Sequence, residues 1–149
     1  MKKLLLAFFL ACFALPVCAE QTVRVLLADG LKSAQIQNSG LVYVYAKNSK
    51  KKYKVSKPET ITVQALGDGE LRIGALKYQG TLVIEPSKNV TLTFQKNTYT
   101  GKLYAVPNGK TFKIIEYADM ENYLLGVLPY EMSPSWPLEA LKAQAVAAR

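Results

Sequence analysis

The chain has 149 residues, about one domain's worth, with 19 basic residues against 11 acidic ones and a net charge of +8. It contains no histidine and two cysteines, which excludes Ser-His-Asp and Cys-His nucleophilic catalysis and most zinc chemistry. Carboxylates are the acid/base groups left to it.

Lys2 and Lys3 precede an apolar run from Leu4 to Leu15, and Val17-Cys18-Ala19 supplies the small residues of a cleavage site. Residues 1–19 therefore read as a signal peptide cut after Ala19. The apolar run is short for a membrane anchor, and Val17 is bulky for a residue preceding an acylated Cys18. Both cysteines, Cys12 and Cys18, fall in this leader, so the exported chain is expected to hold no thiol, disulfide or cysteine-based metal site. Removing Lys2 and Lys3 leaves 17 basic against 11 acidic residues, a charge of +6 suited to anionic surfaces such as wall polymers or lipid headgroups. Export makes nucleic acid an unexpected partner.

From Val23 to about Lys113 the sequence reads as short strands and turns. VRVLLA (23–28) runs into the turn dipeptide Asp29-Gly30, and LVYVYAK (41–47) carries the β-branched and aromatic residues that suit a pleated surface. TITVQAL (60–66) alternates and stops at Gly67-Asp68-Gly69. ELRIGAL (70–76), TLVIE (81–85), VTLTF (90–94) and KLYAV (102–106) follow, punctuated by Pro86, Asn97, Pro107 and Asn108-Gly109. The spacing predicts a small β-rich module, sandwich-like or barrel-like. Tyr78-Gln79-Gly80-Thr81-Leu82 and Tyr99-Thr100-Gly101-Lys102-Leu103 share the pattern Tyr-x-Gly-x-Leu, which reads as two hairpins solving one turn problem. Residues 47–57, KNSKKKYKVSK, hold six lysines and a tyrosine, either a solvated hairpin tip or a docking patch for a wall polymer.

After Ile115 the character changes. Asp119 can cap a short helix through Glu121, Tyr123, Leu124 and Val127 that Gly126 and Pro129 end. The loop Tyr130 to Trp136 follows. Ser133 or Ser135 can cap a second helix with Pro134 or Pro137 in its first turn, whose apolar face holds Leu138, Leu141, Ala145 and Ala148, widened by Val146. Glu131, between Tyr130, Met132 and Trp136, is the candidate functional carboxylate. Aromatic neighbours are expected to shield it partly from water, which favours a neutral acid able to donate a proton to a glycosidic oxygen, and their faces suit sugar rings. A glutamate here could equally serve the dipole of the following helix, and spacing does not choose between the two.

The run YLLGVLPYEMSPSWPLEALKAQAVAAR (123–149) closely resembles the stage II sporulation protein D / amidase-enhancer family, the sporulation lytic transglycosylases. The family pattern Leu-Glu-x-Tyr-Leu, Gly-Val-Val-Pro-x-Glu-Met, Ser-Trp-Pro, Glu-Ala-Leu-Lys-Ala-Gln-Ala-Val-Ala-Ala-Arg is met by 120–124, 126–132, 135–137 and 139–149. Among the departures, Glu116 stands where an asparagine is usual, and Met120 replaces a leucine. The resemblance implies an exported protein acting on peptidoglycan in the periplasmic or extracellular cell-wall space. Its implied activity is lytic transglycosylase cleavage of peptide-stripped glycan strands, with Glu131 as catalytic acid/base and Tyr130, Ser135 and Trp136 as substrate-binding residues. No cofactor and no metal is expected in this stretch, although later segments hold a metal in some members. A non-enzymatic alternative in the same family is a wall-binding enhancer of an N-acetylmuramoyl-L-alanine amidase, with that amidase as partner. The expected fold is α+β: a β-rich module at 20–113, then at 114–149 the first two helices of a truncated catalytic domain. As a fragment it could also be inactive or fail to fold alone, its last helix lacking a partner.

Overall fold

The computed structural model describes residues 21–149, so the leader expected at 1–19 lies outside the described residues. The strands are β1 (Thr22–Leu31), β2 (Ser33–Asn38), β3 (Val42–Ala46), β4 (Tyr53–Val55), β5 (Thr60–Gly67), β6 (Glu70–Ile73), β7 (Leu76–Gln79), β8 (Leu82–Pro86), β9 (Leu92–Phe94), β10 (Asn97–Tyr99), β11 (Lys102–Asn108) and β12 (Thr111–Asp119). Two helices follow, α1 (Met120–Glu131) and α2 (Leu138–Ala147), which makes the architecture α+β.

Alternation along the strands explains why they form two facing layers. In β12, Phe112, Ile114 and Ala118 point inward while Lys113, Ile115 and Tyr117 face out, the period of a half-buried strand. The first sheet is ordered β1-β12-β11-β8-β3-β4 and the second β10-β9-β2-β5-β6-β7, with every pairing antiparallel. Ile36, Val63, Leu71 and Leu92 from the second sheet meet Val44, Leu82, Ile84, Leu103 and Phe112 from the first in one core. The module is therefore a sandwich. Asn38, buried between the layers, ties the sheet crossings together: its amide donates to the Lys57 carbonyl at 2.9 Å and accepts from the Glu59 N–H at 3.1 Å.

Several sequence expectations change here. Asp29-Gly30 is not a turn. β1 runs through it against β12 with an irregular register between Leu26 and Leu31, and Gly30 takes φ 70°. The chain changes sheets afterwards, at Lys32. The 70–76 run is split by Gly74-Ala75 into β6 and β7. The Tyr-x-Gly-x-Leu echo marks no hairpins: Tyr78 and Tyr99 lie in the two edge strands of the second sheet, and Leu82 and Leu103 belong to neighbouring strands of the first. Both copies carry the chain from one sheet to the other, with each tyrosine packed against the shared core. Residues 47–57 span the tip of the β3–β4 hairpin and β4 itself.

β12 continues without a break across residues 113 and 114 and ends at Asp119. It pairs along its length with β1, and the Met120 N–H donates to the Gln21 carbonyl at 2.9 Å, so α1 starts directly from the sandwich edge.

Candidate functional site

Asp119 closes β12 and opens α1. Its carboxylate accepts the Asn122 N–H at 3.1 Å, satisfying one of the amides that a helix start leaves unpaired. Leu124 is the buried anchor of α1, which packs against β12 and β1. The helix does not stop at Gly126 or Pro129. Pro129 lies inside it and forfeits its own amide bond, yet the turn closes with the Met132 N–H on the Leu128 carbonyl at 3.0 Å. Glu131 is consequently the last helical residue rather than a loop residue.

This placement undoes the expected shielding. Consecutive helical residues point about 100° apart, so Tyr130 cannot lie over the neighbouring carboxylate. Tyr130 is 92% exposed, Trp136 is 54% exposed, and Glu131 is exposed as well. Its carboxylate is held from across the helical turn: Gln144 Nε2 donates to Glu131 Oε2 at 3.0 Å. Arg149 pairs with Glu121, so two side-chain links fold α2 back along α1. Gln144 was not among the candidate residues. Its signal was available, since it is the long polar side chain between Ala143 and Ala145 on the face that turns toward α1.

Neither serine caps α2, which starts after Pro137 with no side-chain cap. Proline already supplies the backbone angle for helix entry, and the serines bond locally instead. Ser133 Oγ and Ser135 Oγ lie 2.8 Å apart, and the Trp136 N–H donates to the Ser133 carbonyl at 3.1 Å. This knots the turn that carries Ser135 and Trp136. Glu131, Tyr130, Ser135 and Trp136 thus share one helical hairpin, but none of the other three hydrogen-bonds to Glu131. Beside them Leu128, Pro129, Met132, Pro134 and Leu141 line an apolar hollow of about 200 Å³. The expected apolar stripe of α2 is only partly covered: Leu138 and Val146 are exposed, while Leu141, Ala145 and Ala148 are half-buried.

Among the described residues no cluster of His, Cys, Asp or Glu is arranged to hold a metal ion, and no helix is long and apolar enough to cross a membrane. Chemically, the hairpin offers a solvent-facing carboxylate bonded by an amide, and it carries two exposed aromatic side chains and two serine hydroxyls.

Comparison with known proteins bears out the resemblance of this region. Residues 108–149 match the family model described as Stage II sporulation protein, so β12 and both helices carry that family's signature. An uncharacterized protein of Brachyspira hyodysenteriae is 46% identical over 72 residues, which cover 48% of this chain and 19% of that protein. The chain thus spans about a fifth of that relative's length. No solved structure matches the chain.

Proposed function

We propose that the protein is an exported member of the peptidoglycan-cleaving machinery, a lytic transglycosylase acting on peptide-stripped glycan strands. The observation that carries this reading is Glu131: it falls inside the matched segment 108–149, and Gln144 bonds its carboxylate on an exposed helical hairpin that also carries Tyr130 and Trp136. The match itself supports a sporulation-related cell-wall role.

In the proposed reaction Glu131 enters as the acid. It gives its proton to the oxygen linking N-acetylmuramic acid to N-acetylglucosamine, and the C1–O bond breaks. The resulting carboxylate takes the proton of the muramyl C6 hydroxyl, whose oxygen bonds to C1 and closes a 1,6-anhydro ring. One group serves both steps and regains its proton, and no water is consumed. A second carboxylate, required where water must be activated on the opposite ring face, is not needed. Gln144 holds the carboxylate in place, and Tyr130 and Trp136 offer flat apolar faces to the sugar rings.

Glu131→Gln preserves shape and removes the transferable proton. Incubated with peptide-stripped glycan, the intact wild-type protein should release anhydro-ended products, and the variant should be slower by about 10²–10⁴-fold. Undiminished release would sink the assignment. A second reading, stimulation of a separate amidase, is favoured by one observation: Leu125, Leu138 and Val146 present exposed apolar side chains on the helical hairpin, a surface suited to a protein partner. That reading predicts amidase stimulation that survives Glu131→Gln.

A further inference from the structure

A cleft of about 540 Å³ shares no lining residue with the helical hairpin that carries Glu131. It opens where the β3–β4 hairpin meets the β6–β7 hairpin, along an edge strand of each sheet. Lys51, Lys52, Lys77, Tyr53, Tyr78 and Gln79 line it. α1 packs on β12, and four strand spacings separate β12 from β4, so the cleft is on the order of 20 Å from the base of the helical hairpin.

The charges in the cleft are built rather than scattered. Lys52 is fixed: its ammonium lies 2.7 Å from Glu85 and 4.4 Å from the centre of the Tyr45 ring. Lys51 pairs with no carboxylate among the described residues, and Lys77 reaches Glu70 only at 3.5 Å. No acidic residue occurs between 47 and 57. The cleft therefore offers Lys51, with no carboxylate partner among the described residues, and the exposed, loosely paired Lys77 beside two tyrosines and an amide. From Lys52 the outward face of the first sheet continues with Tyr43, Tyr45, Tyr104 and Tyr117, the last two stacked at 3.9 Å. Val83, though on that outer face, is only 1% exposed, so the surrounding side chains cover the sheet there as a floor.

We infer that this cleft holds a second stretch of peptide-stripped peptidoglycan glycan, its lysines meeting the lactyl carboxylates of muramyl residues and its tyrosines the sugar faces. A strand freed of peptide carries one such carboxylate per disaccharide, which matches cations set among aromatic rings. A flat anionic membrane fits worse, because the cations and tyrosines line a concavity rather than a protruding apolar wedge. The tyrosine row then gives a strand seated in the cleft a path across the sheet toward the helical hairpin. The inference rests on the proposed substrate, but not on the proposed chemistry of Glu131.

The test is co-sedimentation of the intact protein with peptide-stripped glycan, with chitin as the uncharged counterpart, and with phosphatidylglycerol vesicles. Wild-type protein should bind the stripped glycan, more weakly as salt rises, and bind chitin at least about tenfold less well. Lys51→Ala combined with Lys77→Ala, two exposed positions, should weaken glycan binding about tenfold without changing the melting temperature. Tyr53→Ala, also exposed, should weaken chitin and glycan binding together. Unchanged glycan binding by the double variant, equal binding to chitin, or binding to vesicles alone would each overturn the inference. Glu131→Gln should still bind glycan. Should that variant also still cleave it, the assignment of Glu131 fails while the cleft stands. A wild-type protein that cleaves without cleft-dependent binding instead removes the cleft and leaves Glu131 in its role.

Discussion

Glu85 and Glu116 sit on the two strands that flank β11 and point to opposite faces of the same sheet, and the pleat decides their chemistry. Glu85 faces outward, where desolvation opposes its charge but hydrogen bonds from Lys102, Lys52 and Tyr45 outweigh it, holding the carboxyl down at about 2. Glu116 faces the core at 8% exposure; burial pushes its carboxyl up, and the Gly101 N–H at 3.2 Å only partly offsets this. A lowered carboxyl stabilises the fold above the unfolded value of 4.5 and loses that contribution as pH falls toward 2. A raised one acts the other way: the folded state keeps the proton more tightly, so stability declines as pH climbs through the unfolded value of 4.5 and stays lower at neutrality. Glu116→Gln keeps an acceptor for Gly101 and removes the buried charge. It should raise the melting temperature at pH 7 by about 4 °C, corresponding to roughly 1 kcal/mol, and the gain should vanish near pH 3.5. Thermal melts at the two pH values check this, and an equal gain at both would assign the effect to packing. Sequence showed Glu116 only as a departure from a family's usual amide. Its burial comes from strand register, which a linear reading does not contain. Glu131 was legible by its position in the motif, while its exposure and its bond to Gln144 depend on where α1 ends.

Turns decide which strand meets which, and one of them is chemically mismatched. β9 and β10 are joined by the two residues Gln95 and Lys96, both left-handed at φ 50° and 71°. A two-residue hairpin needs this backbone, but Asn-Gly is the pair that adopts it most readily, because asparagine tolerates the left-handed region and glycine has no Cβ. Lys96→Gly should therefore stabilise the sandwich by about 0.5–1 kcal/mol, read as a shift in urea midpoint at unchanged slope. The opposite case is Gly101, where a Cβ would fall 2.4 Å from the Tyr117 carbonyl; alanine there must displace backbone. Sequence reasoning found the long alternating strands, such as β3, β5 and β11, because their apolar residues repeat every second position. It missed β2, β4, β7 and β10. In SAQIQN only Ala34 and Ile36 are apolar, and burial of Asn38 completes the inward row only because the β4–β5 loop, through Lys57 and Glu59, and the Gly40 carbonyl of the β2–β3 loop satisfy its amide. The repeated Tyr-x-Gly-x-Leu was visible as a pattern, but its meaning required knowing that neighbouring segments lie in different sheets.

The molecule is stabilised unevenly from one end to the other. The sandwich has a continuous core shared by both sheets, with Phe112, Ile36, Leu71, Leu82 and Ile84 fully enclosed. α1 attaches to it through Leu124 and the strand-to-helix junction, whereas α2 has no buried residue. A ten-residue helix is below the roughly 12–15 residues at which isolated helices become even marginal in water, so α2 depends on its few contacts with α1. The links that hold it are Gln144 to Glu131 and Arg149 to Glu121, both exposed, and exposed pairs contribute about 0–1 kcal/mol each. Local opening of the helical hairpin should therefore occur without global unfolding. Hydrogen exchange followed by mass spectrometry should find α2 amides exchanging first, α1 next and the inner strands β3, β8, β11 and β12 last. Gln144→Ala should speed α2 exchange about two- to fivefold and leave the strands unchanged. If α2 were instead as protected as β12, the hairpin would be a rigid part of the sandwich. The ordering bears on the proposed function, because Glu131 sits on α1 while the amide bonded to it sits on the less stable α2. Glycan bound across Tyr130 and Trp136 would touch both α1 and the turn leading into α2, and so should slow exchange there. The same experiment with peptide-stripped glycan added tests that coupling, with α2 protection rising and the strands that carry no cleft residue unaffected.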